Sequence, residues 1–412
     1  MVYSFEAQII LVIGLCIIFS YALNLVIRRI KLPLMIAPLF AGLIINYYSV
    51  GISYHLPFYR EIIEIFSGIG IILILFFIGL KVDLHFLKGM SKNSSIIALN
   101  AGLVPFVLGF AFTFYVTKDW TESLFVGIAL AITAEEVSIE ILEELSLIQK
   151  RIGQIIIEAG IIGDIFEISA IALLGLLLRS SALSSGSVFN FVFELIGFIL
   201  VILMMRYFIL DWLLTIVGKD KKRFEYSTIA IVTLFIMVSA AELLNISSIL
   251  GALIAGLLLK NKLIADKLYV EEHHIVEALE VFNFGVFHSI IFIWIGITIN
   301  LSSIMSNIAF GIMLTIIAIA GKLLGSIIGN TLIKEPMEEG ILIGWGLNAR
   351  GATEMFALLV AKNTGFLSTE IFSSVVFMVL ITTIISPIIF KYLVSKGYGL
   401  IEHNASNSKH HK

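Results

Sequence analysis

The chain has 412 residues, of which 59% are hydrophobic and only 14% charged, with a formal net charge of −3. At a mean hydropathy of +1.04 this composition excludes a soluble globular protein, leaves no role for nucleic acid as a partner, and predicts an all-α polytopic membrane protein. The single cysteine, Cys16, excludes an intrachain disulfide and any multi-cysteine metal site.

Taken in order, apolar runs of about 17 to 25 residues separated by polar or basic breaks read as membrane spans. The first, near 7–27, follows an N-terminus without the basic region and small-residue cleavage site of a signal peptide, and is read as a retained span. Others follow near 32–50, 62–80, 94–116, 122–142, 153–178 and 187–210. A second series lies near 225–243, 246–260, 283–300, 303–333, 339–361 and 370–394, so about 13 transmembrane helices are expected. The stretch ADKLYVEEHHIVEALEVF before the tenth reads as an interfacial amphipathic helix. Loops after odd-numbered spans carry sixteen Lys and Arg, those after even-numbered spans only Arg60, Lys118, Arg179 and Lys362. By the positive-inside rule the protein is a multi-pass cell-membrane protein with its N-terminus outside and its C-terminus cytoplasmic.

Spans 4–6 and 11–13 are offset by seven, an odd number, so as structural equivalents they run in opposite orientation, as inverted repeats do. Span 5 holds Thr133-Ala134-Glu135-Glu136, and its counterpart, span 12, holds Gly344, Gly346, Asn348, Arg350 and Gly351. Both read as broken helices, which are tolerated at mid-membrane only where the freed backbone lines a cavity or is buried in protein.

Charge depth points to the same place. Counted from the cytoplasmic span ends at about 1.5 Å per residue, Glu136, Asp164, Lys322 and Arg350 lie roughly 14 to 17 Å deep and Glu354 roughly 22 Å. Ionisable groups at that depth pair with one another or mark an ion path. Asp164 carries the strongest claim to chemistry, because one carboxylate can hold a monovalent cation or a proton but not both. Thr133 and either Glu135 or Glu136 are candidates for completing the cation's shell, so Asp164 and Glu136 are the expected ligands of the transported ion. Lys322 must find a partner when buried; Arg350 is expected to neutralise an acid or organise the break. Glu354 shares a helical face with Arg350, and Glu167 with Asp164. Glu140, Glu143 and Glu144 read as a solvated helix end, and His288 as a core histidine.

Several runs carry a family likeness over essentially the whole chain: LFFIGLKVDLHFL at 75–87, SSILGALIAGLLL at 247–259, IFIWIGITINL at 291–301 and, most specifically, GWGLNARGATEMF at 344–356. In these the chain resembles the monovalent cation/proton antiporter superfamily, in the branch of bacterial NapA-type sodium/proton and Kef-type potassium/proton antiporters. The resemblance implies an NhaA/NapA-like fold, a homodimer, an elevator-like motion and no cofactor. It implies one transmembrane domain over 1–396 with core spans at roughly 94–178 and 303–394. The scaffold panel then falls at roughly 7–80 and 225–300, a linker span at roughly 187–223, and a polar tail at 397–412. Asp164 falls on the family's essential aspartate, Thr133 on its hydroxyl-bearing break and Lys322 on its basic residue of span 11. One departure stands out: the family's Asp or Asn before that aspartate is here Gly163.

The expected function is secondary transport, exchanging a monovalent cation, Na+ ahead of K+, for protons. The alternative is a cation channel or K+ efflux protein without strict proton coupling. An intramembrane enzyme would need a nucleophile and base pair or a motif such as His-Glu-x-x-His, and the sequence holds none.

Overall fold

The computed structural model describes residues 5–27, 29, 36–49, 56–81, 92–133, 135–160, 162–163, 187–216, 223–244 and 246–398. Among these every regular element is helical: α1 (Phe5–Ile27), α2 (Ile36–Ser49), α3 (Leu56–Lys81), α4 (Lys92–Thr117), α5 (Trp120–Ala131), α6 (Glu135–Glu144) and α7 (151–160). There follow α8 (Ser187–Met204), continued through a π turn into α9 (Leu210–Ile216), then α10 (Arg223–Leu243), α11 (Ser248–Ala265), α12 (Tyr269–Phe282) and α13 (His288–Thr298). The last are α14 (Leu301–Ser306), α15 (Ile308–Leu332), α16 (Met337–Gly346), α17 (Ala352–Asn363) and α18 (Thr369–Ser395).

Nine helical stretches among the described residues are long and apolar enough to cross a membrane. The other four expected spans differ for identifiable reasons. The apolar part of α2, Ile36–Tyr47, is short; the 122–142 and 339–361 runs are each divided into two half-helices; and much of 153–178 lies outside the described residues. A helix of 12 residues such as α5 or α17 rises only about 18 Å, too little for a hydrocarbon core of about 30 Å. Each broken pair therefore reads as one span interrupted part-way.

The segment read as an interfacial amphipathic helix is joined to the following span without a break in the helix. From Tyr269 through the π turn Asn283–Phe287 to Thr298 the backbone stays helical over 30 residues without a side-chain cap at the turn, its first half carrying Glu271, Glu272, Glu277 and Glu280 and its second half apolar.

The chain divides into two compact units. The first comprises Met1–Leu87, Glu167–Ile299 and Leu359–Thr364. In it α13 packs on α2 and α3, and α11 on α3 and α10. Two glycine pairs set the helix spacing: a Cβ at Gly42 would sit 2.2 Å from Ile293 O, and one at Gly256 2.1 Å from Phe76 O. Small residues let helix backbones approach closely where lipid supplies no hydrophobic drive to association. His288 is buried there between Phe284 and Phe292, with ring centroids 5.6 and 4.5 Å away.

The second unit comprises Lys88–Phe166, Asn300–Leu358 and Gly365–Lys412. Its organising contact is α15 on α4, with α16 and α18 on α15 and α5 on α4. Gly321, Gly325 and Gly329 form a comb along α15: added Cβ atoms would lie 2.7 Å from Pro105 Cα, 2.3 Å from Asn100 O and 2.7 Å from Ile97 Cα. The comb holds α15 against α4 and fixes the height of Lys322, one residue past its first tooth.

Candidate functional site

The site begins where α5 stops. Asp119 caps its start, its carboxylate accepting from Glu122 N at 2.8 Å. The helix ends at Ala131 because Ile132 turns extended, with φ −63° and ψ 152°. The last carbonyls of a helix lack intrahelical donors and carry the negative end of its dipole, so they attract cations. Two cationic side chains take them. Arg350 Nη1 donates to Ala129 O at 2.6 Å and to Ile132 O at 2.7 Å. Lys322 Nζ donates to Ala131 O and to Thr133 Oγ1, each at 2.6 Å. Lys322 and Arg350 are fully enclosed, at 1% and 0% exposure.

The second interruption, residues 347–351 between α16 and α17, supplies Arg350 and is held by hydroxyls of α18. Arg350 N donates to Thr383 Oγ1 at 3.3 Å and Thr383 Oγ1 donates to Arg350 O at 3.0 Å. Asn348 Nδ2 donates to Ser386 Oγ at 3.2 Å, and Ser386 Oγ in turn to Thr382 O. Ser138 of α6 donates to Gly346 O at 2.6 Å, tying the two broken spans together again. Glu354 lies in the first turn of α17, a favourable place for a carboxylate next to a helix's positive end. Its Oε1 is 3.8 Å from Arg350 Nη1, and neither oxygen has a hydrogen-bond partner among the described residues. The same holds for Nε and Nη2 of Arg350.

Of the residues expected at the site, Thr133, Lys322, Arg350 and Glu354 are thus gathered within one unit. Glu135 and Glu136 open α6 directly past the break, while their side chains, and all of Asp164 and Glu167, lie outside the described residues. Position 163 is described: a Cβ on Gly163 would come 3.9 Å from Thr133 Cβ, which places it beside the break. The partners given to Lys322 and Arg350 here are oxygens of the broken helix, where the sequence had directed attention to acids. Thr383, Ser386 and Ser138 were not singled out from the sequence, although the hydroxyls of ITTIISP at 381–387, deep in an apolar span, were a readable signal. Among the described residues no group of three or more His, Cys, Asp or Glu could hold a metal ion. What the arrangement can do chemically is seat a monocation on hydroxyl and carbonyl oxygens; at present an ammonium sits there.

The family profile described as "Sodium/hydrogen exchanger, transmembrane" matches residues 14–396. The chain belongs to this family, and with it to the monovalent cation/proton antiporter superfamily. As a family member it is a multi-pass membrane protein, and its relatives are transporters rather than enzymes. It is similar to the Na(+)/H(+) antiporter of Enterococcus hirae, 28% identical over 376 residues, covering 90% of this chain and 94% of the relative. The Na(+)/H(+)-K(+) antiporter GerN of Bacillus cereus is 25% identical over 368 residues, covering 88% and 90%. Against Cation/H(+) antiporter 15 of Arabidopsis thaliana the identity is 27% over 381 residues, but this chain spans only 45% of that protein. The sodium proton antiporter MjNhaP1 from Methanocaldococcus jannaschii superposes with a TM-score of 0.68 at 16% identity, covering 96% of this chain and 98% of the other, a likeness of fold.

Proposed function

We propose that this chain is a secondary active antiporter that exchanges Na+, in preference to K+, for protons. Asp164 competes for the two, alternately protonated and cation-bound, with Thr133 and one of Glu135 and Glu136 completing the ion's shell. Lys322 and Arg350 balance the charge of the site, with Glu354 and Glu167 as their acidic neighbours. The supporting observation is the seat itself: Ala131 O and Thr133 Oγ1 hold the Lys322 ammonium at 2.6 Å each. A monovalent cation arriving there meets hard oxygen ligands at the end of a helix dipole, the kind of unwound, carbonyl-bearing backbone that coordinates ions in transporters. Membership of the exchanger family and the named activities of the relatives point the same way.

The wider reading is a homodimer of 13-span protomers built from inverted repeats, N-terminus outside and C-terminus cytoplasmic, working by elevator-like alternating access. The core spans at roughly 94–178 and 303–394 carry the ion; those at roughly 7–80 and 225–300 form the scaffold.

Purified protein in proteoliposomes with an imposed pH gradient tests the exchange reading. Addition of NaCl should dissipate the gradient, KCl should do so less effectively, choline chloride not at all, and Asp164→Asn should abolish the response. Undiminished exchange by Asp164→Asn would overturn the role of Asp164; cation flux without proton counterflow would favour a channel.

A further inference from the structure

Glu354 is the only acidic side chain among the described residues that is fully buried, at 0% exposure. Its ion-pair partner, Arg350 Nη1, is 3.8 Å away and has both hydrogens committed to Ala129 O and Ile132 O. Neither carboxylate oxygen accepts a hydrogen bond from a described residue. A carboxylate so placed has to be met by a proton or by a positive charge. Among the described residues the other buried charges of its unit are Arg350, from the turn before it, and Lys322 of α15. No other charged side chain of the unit is buried among them. Lys322 is meanwhile held on Ala131 O and Thr133 Oγ1, the oxygens assigned above to the arriving cation. Beside Thr133, position 163 is a glycine and carries no carboxyl group, although a Cβ there would meet only ordinary contact at 3.9 Å.

We propose that Glu354 is the second proton-carrying carboxylate of the exchange cycle, so that two protons move against one cation. This rests on the exchange reading above and sets its stoichiometry. In the cation-free state Glu354 is a neutral acid. The entering cation takes the oxygens of Ala131 and Thr133, and the Lys322 ammonium turns from them to Glu354. The Glu354 O–H bond then breaks and its proton leaves to water on the side from which the cation came, while Asp164 releases the other proton. On the opposite side the cation departs, Lys322 returns to its seat, and both carboxylates take a proton from water. The glutamate of the ion's shell, Glu135 or Glu136, stays ionised throughout, so one cation crosses one way and two protons the other, and each cycle moves one net positive charge in the direction of the protons.

The test is electrogenicity, read with a potential-sensitive dye in proteoliposomes during Na+-driven proton movement. Wild type should generate a membrane potential that valinomycin and K+ collapse, with acceleration of exchange on collapse. Glu354→Gln should still exchange but without potential or valinomycin response, at one proton per cation. Adding Gly163→Asp to Glu354→Gln, which returns a carboxyl group beside Thr133, should restore the potential. Electroneutral exchange by wild type overturns the proposal, as does an undiminished potential in Glu354→Gln, and both leave the exchange reading standing. Absence of any exchange by wild type defeats that reading instead. Should Glu354→Gln not be recovered folded, Glu354→Asp decides: retained potential with a displaced pH profile supports the proposal, and an unaltered pH profile overturns it.

Discussion

Lys322 Nζ lies 2.6 Å from Thr133 Oγ1, so a protein ammonium rests on the hydroxyl where α5 and α6 part. Ala131 O accepts from the same ammonium at the same distance. On the exchange reading proposed above, a tethered cation and a free one compete for the same oxygens, and substitutions on either side of that contact should move cation affinity in opposite directions.

Thr133→Val keeps the side-chain shape and removes the hydroxyl. A hydrogen bond or ion contact involving a charged group is worth about 1.5–3 kcal/mol, and about 1.4 kcal/mol is a factor of ten in an equilibrium constant. The expected outcome is a rise of roughly tenfold or more in the Na+ concentration giving half-maximal exchange, with the protein still folded. An unchanged half-maximal concentration in proteoliposomes would take Thr133 out of the ion's shell.

Arg350 has a different task, since its Nη1 satisfies two carbonyls that the end of α5 leaves open, Ala129 O and Ile132 O. A buried acceptor without a donor costs about 1–3 kcal/mol, and Arg350→Ala strands two of them together with Glu354. Thermal melting in detergent should show a large loss of stability for Arg350→Ala. Arg350→Lys, which retains charge and donors but not the fork geometry, should fall between it and wild type. If Arg350→Ala melts like wild type, the guanidinium is not what closes the break.

How much of this was readable beforehand follows from which groups carry a sequence signal. Lys322, Arg350 and Glu354 stand out because charges deep in apolar runs are rare, and Thr133 because it borders a run of glutamates inside a span. The Arg350–Glu354 ion pair was readable from its spacing of four; the hydrogen-bond partners of Lys322 and Arg350 were not. Ala129, Ala131 and Ile132 contribute backbone oxygens, which any residue possesses, so sequence reasoning looked to carboxylates for pairing. Hydrophobic runs marked the spans but could not separate one long helix from two half-helices, because a break of three or five residues leaves the average apolarity intact. The amphipathic pattern of 269–282 was visible, yet its junction with α13 is a π turn with no glycine or proline stop beyond Gly285, and the helix runs on.

The glycine comb of α15 offers a stability test away from the site chemistry. A Cβ at Gly325 would lie 2.3 Å from Asn100 O, so Gly325→Ala must push α15 off α4, whereas Gly14 in α1 has nothing within 4 Å of such a Cβ. Overpacking of this kind costs about 1–3 kcal/mol. Gly325→Ala should melt at lower temperature and exchange more slowly, because the height of Lys322 depends on this contact; Gly14→Ala should match wild type in both. Equal melting of the two variants would mean that α15 and α4 do not approach as closely as these distances require.

Lys322→Gln supplies the opposite arm of the competition. Glutamine can still donate to Ala131 O and Thr133 Oγ1 but carries no charge, so an incoming cation displaces a weaker occupant. A ligand that binds only the folded state stabilises it by RT ln(1 + [L]/Kd), which makes the melting shift on adding NaCl a measure of affinity. Against a choline chloride control, the NaCl-dependent shift should be larger for Lys322→Gln than for wild type and smaller for Thr133→Val. Transport should separate from binding, because tight seating of the cation without an ammonium to return to the oxygens slows release. Lys322→Gln is accordingly expected to show a lower maximal exchange rate together with a lower half-maximal Na+ concentration. A smaller NaCl shift in Lys322→Gln than in wild type would show that Lys322 helps to hold the cation, and the competition at Thr133 would have to be abandoned.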